Sequence, residues 1–380
     1  MKNLKKMACI LTCLVLLTGL FAGCEKQNSK DAYVIGVSAP LTGSSSTYGI
    51  AVKNGAEMAI EEINNAGGLN GVDFVLISTD DMNDATKVAT NYASLYEKGM
   101  QISLGCVTSL PGIEFTNLSK DDNLFFITPS ASNDDIPQYD NGYQMCFADG
   151  NQGKVAAEYV NEAYQGKTIG IFYKADDNYS QGIYTQFKAN LDPSVTTIDT
   201  SFTDANASDF TTQLESLKNC EFIFMPIYYQ PASLFMKQGK SIISASAVYY
   251  GCDGFDGINS VKGFDLDAIP QEVSMLSHFN SKASDGSAKE FIDKYVEKYG
   301  TETLNQFAAS AYDCIYAIYG AMKQAEINDV SISASDLCEK MKTVFQGGYT
   351  FSGVTGNNIT WDENGYVNKS AVKYIIKEAK

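Results

Sequence analysis

Tyr33-Val34-Ile35-Gly36-Val37 is a short apolar run, and Pro40-Leu41-Thr42-Gly43-Ser44-Ser45-Ser46-Thr47-Tyr48-Gly49 is a loop of hydroxyls and glycines. From Tyr48 to Asn65 apolar residues then recur at Val52, Ala56, Ala59, Ile60 and Ile63. The first segment is apolar throughout, as a strand covered on both sides is, and the third has the helical period with one apolar face. Strand, loop and helix in this order begin a β-α-β unit, so the opening of the chain predicts a buried parallel strand.

The alternation continues outward from there. Strands are predicted at Phe74-Ser78, Gln101-Leu104, Leu124-Ile127, Thr168-Phe172, Thr196-Thr200, Phe222-Pro226, Ala247-Tyr250 and Val273-Ser277. Helices are predicted at Asp84-Glu97, Gln152-Ala163, Ser180-Leu191 and Ser208-Leu217. Nine such strands are many for one sheet and natural for two. The expected class is α/β, with two doubly wound parallel-sheet lobes. After Ser281 the pattern turns mostly helical, over Ser287-Tyr299, Gln306-Ala325 and Ser335-Val344. It returns to strand at Tyr349-Phe351, Asn358-Trp361 and Ala371-Ile376, with Asp362-Glu363-Asn364-Gly365 as a turn.

The N-terminus reads as an address. Lys2, Lys5 and Lys6 precede a charge-free run from Met7 to Ala22, 16 residues long and shorter than the roughly 20 of a spanning helix. Residues 1–23 are therefore expected to be a signal peptide. Its end, Leu20-Phe21-Ala22-Gly23-Cys24, resembles the bacterial lipoprotein box, which implies lipidation of Cys24, a polar linker over 24–32 and anchoring on the extracytoplasmic face of the cell membrane. The 357 residues that remain carry a net charge of −20, against −17 for the whole chain of 380.

That charge, a pI near 4.5 and a composition with 44% hydrophobic and 19% charged residues describe a folded acidic body, and argue against nucleic acid or an anionic bilayer surface as partner. All 28 basic residues are lysines, so no guanidinium can clamp a carboxylate or phosphate. A single histidine, His278, excludes a histidine-based metal site. Beyond the leader and Cys24 stand Cys106, Cys146, Cys220, Cys252, Cys314 and Cys338, scattered in apolar runs with no C-x-x-C. They are expected to be mostly free, buried thiols, and no metal or cofactor is expected.

In open α/β sheets ligands sit beyond the carboxyl ends of the strands. The loops there are Gly105-Cys106-Val107-Thr108-Ser109 and Thr128-Pro129-Ser130-Ala131-Ser132-Asn133 in the first half. In the second half they are Asp176-Asp177-Asn178-Tyr179-Ser180-Gln181-Gly182, Tyr228-Tyr229-Gln230-Pro231 and Gly251-Cys252-Asp253-Gly254-Phe255-Asp256. One set offers hydroxyl and N–H donors, the other aromatic walls and carboxylates, which together complement a zwitterion. A serine hydrolase built on Ser109 or Ser130 would need a base, and His278 follows a predicted strand; no G-x-S-x-G elbow is present.

At these residues the chain resembles the leucine/isoleucine/valine-binding family of solute-binding proteins for ABC importers. The resemblance runs from Tyr33 onward. It rests on Ile35-Gly36-Val37-Ser38-Ala39-Pro40-Leu41-Thr42-Gly43, on Asn54 to Asn64 followed by Gly67-Gly68, on Ile127-Thr128-Pro129-Ser130-Ala131-Ser132, on Asp177-Asn178-Tyr179-Ser180-Gln181-Gly182 and on Gly251-Cys252-Asp253-Gly254. It implies the type I periplasmic-binding-protein fold, with three crossovers near Phe147-Gln152, Ser277-Ser281 and Gly365-Lys369. Lobe one would then be 33–148 and 279–366, and lobe two 149–278 and 367–380. Further implications are an amino-acid ligand held through its carboxylate by Ser109, Ser130, Ser132 and the backbone of Ala131, with its ammonium on Asp253 and Tyr179 and a cover of Tyr48 and Tyr228. The implied partner is an ABC importer permease, and the implied state a monomer. The disulfide of some members would fall near Asn83 and Thr108, where there is no cysteine. A sensory module of the same fold is the alternative; a chain ending at Lys380 with no output domain would then need a separate membrane receptor.

Overall fold

The computed structural model describes residues 31–380. The expected leader, Cys24 and all of the linker but Asp31 and Ala32 lie outside the described residues.

Ala32–Ala39 forms β1, buried along its whole length as the opening run requires. It pairs in parallel with β2 (Asp73–Asp80) on one side and β3 (Ile102–Cys106) on the other. With β4 (Phe126–Thr128) and β5 (Gly142–Gln144) these make a five-stranded parallel sheet of order β2-β1-β3-β4-β5. The second sheet contains β6 (Thr168–Lys174), β7 (Thr196–Phe202), β8 (Phe222–Met225), β9 (Val248–Gly251), β10 (Glu272–Ser277) and β11 (Val372–Lys377), in the order β11-β10-β9-β8-β6-β7. Read as β7-β6-β8-β9-β10, it repeats the strand order of the first sheet. The antiparallel strand β11 is added at its edge.

Between strands run α1 (Ser46–Asn65), α2 (Val88–Glu97), α3 (Ser109–Asp121), α4 (Asp149–Ala163), α5 (Asn178–Asn190), α6 (Thr211–Leu217) and α7 (Tyr229–Gly239). The C-terminal helices are α8 (Gly286–Tyr299), α9 (Gln306–Gln324) and α10 (Ala334–Gln346). They return to the first sheet, where α9 lies along α1. The approach is close: a Cβ on Gly55 would sit 2.0 Å from the carbonyl oxygen of Ala308. This contact sets Tyr48, at the start of α1, beside Phe307, at the start of α9, with ring centroids 5.0 Å apart.

Five elements depart from expectation. Helices α3 and α7 escape the periodic pattern because each carries a proline, Pro111 and Pro231, at its third residue. A proline there costs no helical bond, since the first turn's N–H groups have no intrahelical partner. Strand β5 is only three residues long. The strands expected at Tyr349-Phe351 and Asn358-Trp361 are reduced to single bridges, Phe351 to Ile359 and Trp361 to Val367. The Trp361 indole N–H closes this hairpin onto β5 by donating to the carbonyl of Gln144 at 2.7 Å. All six cysteines of the described residues are free and buried.

Candidate functional site

In each sheet the loops after the first and third strands diverge to opposite faces, and this leaves a crevice. The two crevices meet in one cavity. Residues following β1, β3 and β4 line it from the first sheet, and residues following β6, β8 and β9 from the second.

On the first side, Thr108 caps α3 in an extended conformation and Ser109 opens the helix. The N-terminal N–H groups of α3 therefore lack intrahelical partners, and Pro111 has none to offer. The Thr108 hydroxyl is buried with no hydrogen-bond partner, and Thr108 lines the cavity. Ser130 also lines the cavity, but its hydroxyl proton is committed to the carbonyl of Val107 at 2.6 Å. Ser132 lines it beside Asp149.

On the second side, the Asp177 carboxylate accepts the Ser180 N–H at 3.0 Å and fixes the start of α5. Tyr179, one residue into that helix, donates its hydroxyl to Asp253 Oδ1 at 2.7 Å and accepts the Gly254 N–H at 2.9 Å. The Asp253 N–H in turn donates to Gln152 Oε1 at 3.0 Å. Position 254 must be glycine, because a Cβ would lie 2.7 Å from Tyr179 Oη and 2.9 Å from the carbonyl oxygen of Ile227. The Gly254 carbonyl accepts the Tyr48 hydroxyl at 2.5 Å, a bond that spans the two lobes.

The electrostatics are one-sided. Asp253 is 2% exposed, and burial pushes its carboxyl up to about 7 against the Tyr179 hydrogen bond, which pulls it down. Asp149, fully buried behind it, is pushed well up by burial and then by the charge of Asp253, and its Oδ1 has no partner. Burial also raises the hydroxyls of Tyr48, Tyr179 and Tyr228 well above their ordinary value, so all three are neutral donors at physiological pH. Among the described residues, no lysine lines the cavity. The arrangement thus presents an unpaired hydroxyl and a helix N-terminus opposite a buried carboxylate with no cation lining the cavity.

Of the residues expected from sequence, Tyr48, Ser109, Ser130, Ser132, Tyr179, Tyr228 and Asp253 come together around this cavity. Ala131 does not. Its N–H donates to Thr128 Oγ1 at 3.1 Å and its carbonyl accepts Gln144 Nε2 at 3.0 Å, so its backbone is used in holding the loop. Val107, Thr108, Gly254 and Phe307 also line the cavity. The first three adjoin residues already singled out, whereas Phe307 arrives from a helix more than 50 residues beyond Asp253 and had no local signal. His278 pairs with Ser310 at 2.8 Å and lies edge-on to Phe147, where it serves neither Ser109 nor Ser130 as a base. Among the described residues, no group of three or more His, Cys, Asp or Glu side chains is placed to hold a metal ion.

Comparisons agree with this architecture. The family profile described as periplasmic binding protein matches residues 32–374. The leucine-, isoleucine-, valine-, threonine- and alanine-binding protein of Pseudomonas aeruginosa is 28% identical over 346 residues, which is 88% of this chain and 87% of that protein. Two solved structures at 24% identity share the fold. LivJ from Streptococcus pneumoniae, in complex with isoleucine, has a TM-score of 0.77 over 92% of this chain and 96% of its own. The leucine-binding protein LivK from Thermotoga maritima has a TM-score of 0.78 over 91% and 96%. With two parallel-sheet lobes, a cavity between them and a family match along nearly the whole described chain, this protein belongs to the periplasmic binding proteins and has their type I fold.

Proposed function

We propose that the protein captures an α-amino acid between its lobes, outside the cytoplasm, and delivers it to an ABC importer permease. One observation carries this reading: the unpartnered Thr108 hydroxyl and the N-terminus of α3 stand opposite the Tyr179–Asp253 pair in a single buried cavity. A carboxylate suits the first and an ammonium the second, and a ligand held at both ends favours the closed form over the open one. The P. aeruginosa relative, named for binding leucine, isoleucine, valine, threonine and alanine, supports the same class. Lobes of 33–148 with 279–366 and of 149–278 with 367–380 fit the three passages between the sheets, and a monomer suffices because both halves of the site come from one chain. A thermal-shift screen of amino acids and small carboxylates tests the reading. A bound ligand at 100 times its Kd adds about 2.7 kcal/mol and small-angle scattering should record a smaller radius of gyration. No amino acid raising Tm, or a preference for carboxylates without an amino group, overturns it.

Membrane attachment through Cys24 belongs to the same proposal and rests on Ala22-Gly23-Cys24 after the apolar run. Among the described residues no helix is long and apolar enough to cross a membrane. A Cys24→Ser chain is expected to leave the membrane fraction, and its retention there would count against the anchor.

A further inference from the structure

The loop after β9 carries two acids with different partners. Asp253 holds Tyr179, and Asp256, three residues on, reaches the other lobe, where its Oδ2 accepts the N–H of Gln306 at 2.8 Å. Gln306 is the first residue of α9, which packs on α1 of the first lobe, and the next residue, Phe307, lines the cavity. The bond fills a need of that helix. Its cap, Asn305, accepts the N–H groups of Phe307 and Ala308 at 3.0 Å each and leaves that of Gln306, a fully buried residue, to another partner.

The two acids ride on one closed turn. The Phe255 N–H donates to the Cys252 carbonyl at 3.0 Å and the Asp256 N–H to the Asp253 carbonyl at 2.9 Å. The same loop meets the first lobe at two further bonds, Tyr48 to the Gly254 carbonyl and Thr47 with the Ser260 hydroxyl at 3.1 Å. Both are neutral. Of the three, only the Asp256 bond brings a charge, and it brings it to a helix N-terminus, where the aligned N–H groups favour an anion. Burial pushes the Asp256 carboxyl up to about 6, against the hydrogen bonds from Gln306 and Gly257, and leaves it ionised at neutral pH. The other titratable groups around it are Asp253 on its own turn and Lys282, Glu302 and Tyr374, which line a small pocket with it.

From this juxtaposition, and resting on the amino-acid reading above, we infer that Asp256 is a closure residue: its carboxylate docks the second lobe on the N-terminus of α9, and the turn it shares with Asp253 ties that docking to the ammonium end of the ligand. Asp256 does not line the cavity, so it is a positioning residue that acts through Asp253. Parting the lobes draws it off the Gln306 N–H, and its return there is part of closing.

Titration calorimetry on the whole chain, with leucine and alanine as probes, decides the matter. Gln306→Pro removes the donor alone, since proline suits the first position of a helix and Asn305 before it is already extended. It should weaken binding about five- to thirtyfold. Asp256→Asn keeps an acceptor but loses the charge, and should weaken binding about three- to tenfold. Because both remove the same bond, the double variant should bind no more weakly than Gln306→Pro alone. Asp256→Asn should also lower the pH midpoint of binding, because the Asp256 charge helps to raise the Asp253 carboxyl; a loop that was merely loosened would leave the midpoint in place. Single variants within about twofold of the unaltered protein, a double variant whose loss is the product of the two, or an unmoved midpoint overturns the inference. Loss of a cooperative melt in both single variants also overturns it, by making the bond a requirement of folding. Binding of neither probe by the unaltered protein would instead overturn the amino-acid reading, and this inference with it.

Discussion

The two lobes use one strand order for opposite chemistry. After the first strand each sheet supplies a tyrosine, Tyr48 in one and Tyr179 in the other. After the third strand come α3 and α7, both with proline as their third residue, yet the cap of one is Thr108 with its unpaired hydroxyl and the cap of the other is the ring of Tyr228. After the fourth strand stand Ser130 and Ser132 on one side, Asp253 on the other. A doubled scaffold thus places equivalent loops face to face, and the residues within those loops decide which end of a polar ligand each lobe takes. Without arginine, the anion side has to rely on hydroxyls and N–H groups.

Removing the acceptor breaks this division most severely. Asp253→Asn leaves the ammonium without its counter-charge in a buried site, which costs about 2–5 kcal/mol and weakens amino-acid binding by roughly thirtyfold or more. The same residue sets a pH signature. With its carboxyl pushed up to about 7, Asp253 is neutralised as the pH falls, so affinity should drop about tenfold by one pH unit below that value, and Asp253→Asn should flatten the profile. Stability of the empty protein moves the other way. A carboxyl raised on folding binds more protons in the native state, so its contribution worsens as the pH rises from the unfolded value near 4 through 7. Titration calorimetry and melting curves across pH 5 to 8 check both slopes, and an affinity independent of pH would remove Asp253 from the ammonium site.

The donor side offers a finer test. Thr108→Val deletes the unpartnered hydroxyl and should cost about 1.5–3 kcal/mol of binding, the range for a hydrogen bond to a charged group. Ser109→Ala keeps the backbone N–H and should cost less than Thr108→Val. The reverse order, measured by calorimetry, would move the carboxylate from the Thr108 hydroxyl to that of Ser109.

Much of this was legible in the sequence because the parallel-sheet rule says where to look: behind strand after strand, hydroxyls in one half and acids with tyrosines in the other. Thr108 stood in one of those loops, but nothing in a single sequence tells an unpaired hydroxyl from one already committed, as that of Ser130 is. Ala131 was carried by the family pattern alone, and here its backbone is spent on Thr128 and Gln144. Phe307 was hidden for a different reason. It reaches the cavity through the packing of α9 on α1 at Gly55, a contact between segments about 250 residues apart that no local pattern announces.

The bond from Tyr48 to the Gly254 carbonyl has a kinetic meaning as well. It joins the two lobes directly, and through the Gly254 N–H it is continuous with the Tyr179–Asp253 pair. A solute can enter only in the interval when that latch is undone. Once the solute is inside, the same latch slows its escape, so the residence time grows from a bond the protein makes with itself.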